Sequence, residues 1–130
     1  MKEPNWLLKQ TVLAVHNQLV LEFGGGSGIR DEGLLESALD RPLNVYQYDD
    51  SADLHSLAAA YTGGIVQNHP FVDGNKRTGF ICAYMFLARN GLRLDADQIT
   101  ATAMTLALAA SDADEAEYAA WLRDNAKTID

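Results

Sequence analysis

Long stretches with a 3.6-residue apolar rhythm alternate along the chain with short stretches rich in glycine, proline and acid. The clearest rhythm lies between residues 51 and 67, where Leu54, Leu57, Ala58, Tyr61 and Ile65 share one helical face. Phe80, Ile81, Tyr84, Met85 and Ala88 repeat the pattern, and Asn90-Gly91 ends that segment. An earlier helix is expected over residues 4–23, with Pro4 tolerated near its start. Its apolar faces are Trp6, Leu7, Val12, Leu13, Val15, Leu19 and Val20. "GGGSG", residues 24–28, puts four glycines in five positions and stops it. A helix opening near Asp31, with acid in its first turn, is expected to stop before Pro42, leaving "NVYQYDDSAD" as a loop. The last two helices are expected over residues 95–109 and 112–126, with Asp95 and Ser111 or Asp112 as candidate caps. "GLRL" offers at most a brief hairpin. The pattern therefore predicts an all-α fold, a compact bundle of about six helices forming a single domain over residues 1–130.

Composition narrows the class. Hydrophobic residues make up 48% of 130, enough for one core without staples. The single cysteine, Cys82, lies in an apolar run, so no disulfide framework forms within the chain and a reducing, cytoplasmic home is expected. Cys82 reads as a small core residue. "MKEPNWLLKQ" reaches charge and proline before any apolar run develops, so no secretory leader is expected. No stretch approaches the ~20 apolar residues of a membrane helix. A formal net charge of −8 argues against direct nucleic-acid binding, which depends on cations releasing counterions from phosphates. Any phosphate bound must meet a local positive island, which Lys76 and Arg77 supply.

Those cations belong to "HPFVDGNKRTG", residues 69–79, a polar segment between two apolar helices. Its C-terminal end opens a helix, whose free N–H groups and partial positive charge favour anions. Asn75 is a candidate N-cap, and Gly74 lets backbone approach a ligand. Lys76 and Arg77 oppose the helix dipole unless an anion is bound, and such a local conflict marks function. Asp73 makes sense beside phosphates as a Mg²⁺ ligand. His69 is suited to taking a proton near neutral pH. Phe71 would anchor the loop in the core, and Pro70 would stiffen it. Each residue alone has an ordinary structural role; together they describe a phosphoryl- or nucleotidyl-transfer site.

The segment resembles the signature loop of the Fic/Doc (Fido) superfamily, His-x-Phe-x-Asp/Glu-Gly/Ala-Asn-Gly/Lys-Arg, with every defined position filled. "GGSGIRDEGLLESALDRP", residues 25–42, is similar to the segment after the first helix in the Doc branch, the death-on-curing toxins of type II toxin–antitoxin systems. The resemblance implies an all-helical fold with His69 as general base on a target hydroxyl and Asp73 as the Mg²⁺ ligand. It places Gly74 and Asn75 at the anion hole and Lys76 and Arg77 on the phosphates of ATP. It also implies that Gly25, Gly26, Ser27 and Gly28 form a mobile flap that orients the protein substrate. "GGGSG" lacks the Gly-Lys-Ser/Thr ending of a phosphate loop.

Two departures separate the branches. Fic adenylyltransferases carry glycine where this chain has Lys76, and a second arginine where it has Phe80. Both point to the Doc branch, which resembles a kinase in moving the γ-phosphoryl group to elongation factor Tu. Gly74, conversely, is the Fic-like choice where Doc often has alanine, so AMP transfer stays open, as does a catalytically silent binding module. The inhibitory pattern Ser/Thr-x-x-x-Glu-Gly/Asn is approached only by Ser27 with Glu32-Gly33, one residue too far apart. Inhibition in trans is therefore expected, by a Phd-like antitoxin whose disordered C-terminal tail folds into a groove. His16 and His55 read as structural, and with one cysteine a zinc site is not expected.

Overall fold

The computed structural model describes residues 1–129. The elements run α1 (Lys9–Phe23), α2 (Glu32–Tyr48), α3 (Leu54–Asn68), α4 (Asn75–Arg89), β1 (Leu92–Leu94), α5 (Gln98–Ala109), α6 (Glu115–Asn125) and β2 (Ala126–Thr128). The fold is all-α with six helices, and the strands form one short antiparallel ribbon among the described residues.

α3 is the central helix. Every residue from Leu57 to Val66 is buried, because its neighbours surround it and its small residues let them approach. Gly64 faces α2, where a β-carbon would come within 3.0 Å of the Ala38 carbonyl. Gly63 leaves room for Glu115 of α6, whose carboxylate takes Arg41 Nε at 2.6 Å. One apolar cluster draws on Val12, Leu35, Ile65, Phe86, Leu108 and Tyr118, joining all six helices. Cys82 lies inside it, and burial pushes its thiol up to about 12, so it is not a reactive thiolate.

Several local expectations yield to tertiary packing. α2 runs through Pro42 to Tyr48 instead of stopping. The proline removes the helical donor to the Ala38 carbonyl, at a typical cost of ~3 kcal/mol, but its ring is buried against the core side of the helix. Residues before Lys9 are not helical. Trp6 stacks on Phe86 with ring centroids 5.9 Å apart, and the Leu7 N–H donates to the Tyr61 hydroxyl at 3.1 Å, so packing satisfies this segment outside a helix.

The expected caps also move. Asp97 caps α5 by accepting from the Thr100 N–H at 2.7 Å, while Asp95 pairs with Lys127. Asp114, not Ser111 or Asp112, caps α6, in a capping box with Glu117. "GLRL" forms no local hairpin: Leu92 pairs with Thr128 and Leu94 with Ala126. No helix of the described residues is long and apolar enough to cross a membrane.

Candidate active site

The motif occupies the turn from α3 into α4. His69 ends α3 in the left-handed conformation, φ 52°. Arg30 clamps this turn: its Nε donates to the His69 carbonyl at 2.7 Å and its Nη2 to the Asn68 carbonyl at 2.9 Å. A cation there also complements the negative end of the α3 dipole. The Pro70 carbonyl accepts from the Arg30 and Asp31 N–H groups at 2.7 and 3.1 Å, and Ile29 bridges to Phe71. The segment after the glycines is thus laced to the loop by backbone.

Phe71 is fully buried, as an anchor should be. Its ring stacks on His16, centroids 3.8 Å apart at 9°. Asn75 is turned inward and is not the N-cap. Its Oδ1 accepts from the Phe71 N–H and its Nδ2 donates to the Phe71 carbonyl, both at 3.0 Å. The same Nδ2 reaches His69 Nδ1 at 2.7 Å. Gly74 takes the N-cap position at φ 75°, and no side chain caps α4 among the described residues. Glycine at 74 is thereby explained by a left-handed backbone, whichever way a nucleotide lies.

Asp73 is exposed, and its Oδ1 accepts the Gly74 N–H at 2.8 Å. Lys76 and Arg77 are also exposed, and neither forms an ion pair among the described residues. The Arg77 guanidinium lies 4.3 Å from the Phe23 ring centroid, a cation–π contact that steadies it at the end of α1. His69, Asp73, Lys76 and Arg77 line one cleft of about 730 Å³, together with Gly74 and Asn75. Its other side is apolar and includes Phe80, Tyr84 and Leu106.

The glycine segment lies against the same loop. A β-carbon on Gly25, at φ 110°, would fall 2.6 Å from Asp73 Oδ2, and one on Gly26 2.7 Å from Val72 Cγ1. The Gly28 carbonyl accepts from the Val72 N–H at 3.1 Å, and Ser27 is exposed. His55 stays remote, 3.4 Å from Asp53 at the start of α3. His16 is buried, as a structural residue would be, yet it meets the loop, as do Arg30 and Phe23, contacts that the sequence reading does not contain. The available signal for His16 was its place one turn after Val12, a polar residue on the buried stripe of α1.

No group of three or more metal-ligating His, Cys, Asp or Glu exists among the described residues. What the loop offers is one exposed carboxylate beside two cations without an ion pair and a helix start without a side-chain cap, among the described residues. That donor set suits Mg²⁺ carried by phosphates, which needs few protein ligands.

The chain is 45% identical over 78 residues to Toxin Doc of Mycolicibacterium smegmatis, covering 59% of this chain and 60% of that protein. It is 32% identical over 85 residues to Protein kinase doc of Escherichia phage P1, covering 65% and 68% respectively. A family model described as Fic/DOC matches residues 6–87, from ahead of α1 to near the end of α4, and so takes in the glycine segment and the whole loop. With that match across most of its length, the chain belongs to the Fic/DOC family.

Proposed function

We propose that this chain is the toxin of a type II toxin–antitoxin system that transfers the γ-phosphoryl group of ATP, with Mg²⁺, to a hydroxyl of elongation factor Tu, arresting translation. The observation that carries the reading is the meeting of His69, Asp73, Lys76 and Arg77 along one cleft, with both cations unmatched among the described residues. The names of the two relatives, one a toxin and one a protein kinase, support it.

Lys76, Arg77 and the free N–H groups at the start of α4 hold the phosphates. Asp73 would hold the Mg²⁺, which when bound would neutralise phosphate charge. Phe80 and Ile81 give the cleft an apolar wall just beyond Arg77, where no cation clamps the terminal phosphates of a Fic-oriented nucleotide. The γ-phosphorus then faces the target hydroxyl. The hydroxyl oxygen bonds to the γ-phosphorus, the bond to the β–γ bridging oxygen breaks, ADP leaves, and His69 takes the hydroxyl proton. To accept it, His69 first exchanges its Asn75 contact. A Phd-like antitoxin, its disordered tail folding into the apolar side of the cleft, restrains the enzyme.

The test incubates purified protein and elongation factor Tu with ATP labelled at the α- or the γ-phosphorus. Transfer of γ label alone supports phosphorylation. Transfer of α label overturns it in favour of adenylylation.

A further inference from the structure

We infer that His16, on α1, is a positioning residue that sets the orientation of the Asp73–Gly74 peptide, and through its N–H the place of the Asp73 carboxylate. The inference rests on the reading of Asp73 and Gly74 given under the proposed function.

His16 is only 1% exposed, a polar ring on the buried stripe of α1. Its Nε2 lies 2.7 Å from the Asp73 carbonyl oxygen. A carbonyl can only accept, so Nε2 carries the hydrogen and donates, in the neutral ring as in the cation. The bond therefore needs no particular charge on His16.

The ring also lies close to Phe71 and Gly74. It stacks on Phe71 at 3.8 Å, and a β-carbon at Gly74 would lie 3.8 Å from both Cδ2 and Nε2. In a planar trans peptide, C=O and N–H point in opposite directions. Drawing the Asp73 carbonyl inward to His16 therefore turns the Gly74 N–H away from α1. There it meets Asp73 Oδ1 at 2.8 Å and holds the carboxylate at the cleft. The turned peptide leads into the left-handed φ of 75° at Gly74. Phenylalanine at 16 would stack without donating, and glutamine would donate without stacking.

The experiment compares His16→Phe, which removes the donor, with His16→Gln, which keeps an amide donor. His16→Leu replaces the Phe variant if that one fails to fold. Two measurements are made without any target protein. Calorimetry reads binding of Mg²⁺ with a non-hydrolysable ATP analogue, and hydrogen exchange reads the Gly74 amide against core amides of α3. Loss of the donor is expected to weaken Mg²⁺–nucleotide binding and to speed Gly74 exchange, each roughly tenfold, with core exchange unchanged. The Gln variant is expected to recover most of both. Wild-type exchange at Gly74 in the donor-less variant overturns the inference, as does a Gln variant no better than Phe. If the wild-type chain binds no nucleotide, the proposed function fails, while the exchange comparison still decides the role of His16.

Discussion

Asn75 Nδ2 lies 2.7 Å from His69 Nδ1, and the amide that makes this contact is locked from behind by Phe71. Because Oδ1 accepts from one Phe71 backbone group while Nδ2 donates to the other, the amide cannot flip without losing both bonds. The hydrogen shared with His69 therefore comes from Asn75, and the neutral imidazole carries its own proton on Nε2. The resting loop holds its histidine in place but keeps both ring nitrogens engaged or protonated.

Replacing Asn75 should accordingly damage fold and chemistry together. Asn75→Ala leaves the Phe71 N–H and C=O buried without partners, a loss of ~1–3 kcal/mol per orphaned group. Urea midpoints are expected to fall, and phosphoryl transfer to fall by more than the unfolded fraction explains. An unchanged midpoint would mean that the inward amide does not support the loop.

His69 is exposed, so its loss should cost chemistry alone. At φ 52° the backbone is left-handed, a conformation that asparagine tolerates better than alanine. His69→Asn is therefore expected to keep the thermal midpoint while transfer drops by about 10²-fold or more, the usual contribution of a general base. Growth arrest equal to wild type on expression of the variant would remove His69 from the mechanism.

Gly25 and Gly24 form a matched pair. Both have positive φ, at 110° and 83°, so alanine is strained at either. Only at Gly25 does a β-carbon strike Asp73; at Gly24 nothing lies within 4 Å. Both alanine variants should lose similar stability, while Gly25→Ala alone raises the Mg²⁺ concentration giving half-maximal transfer. Equal Mg²⁺ dependence in the two would separate the glycine segment from the metal ligand.

Acid sensitivity has a nameable source at Asp53. Burial alone would raise its carboxyl, but hydrogen bonds from the Ser56 backbone, Arg123, the Ser56 hydroxyl and His55 outweigh that and bring it from 3.8 to about 2. A folded value below the ordinary one stabilises the protein above pH ~4, and that contribution is lost as pH falls toward ~2. Asp53→Asn keeps a good N-cap but loses the charge. Its thermal midpoint should lie below wild type at neutral pH and converge on it in acid, with a smaller gap at high salt because the site is partly exposed.

The sequence by itself determined the helical class, the apolar faces of α3 and α4, and the set of chemical groups in the loop, because periodicity and turn chemistry are short-range properties. Tertiary structure decided the rest. Pro42 reads locally as a stop, yet α2 runs past it and the residue is buried. Asn75 reads as a cap, yet the backbone of Phe71 draws its amide inward. Leu92 and Thr128 pair only because α6 returns the chain beside β1. His16 meets Asp73 across 57 positions of sequence, and Arg30 meets His69 across 39. Contacts of that range depend on how whole helices pack, and no local pattern of residues carries that information.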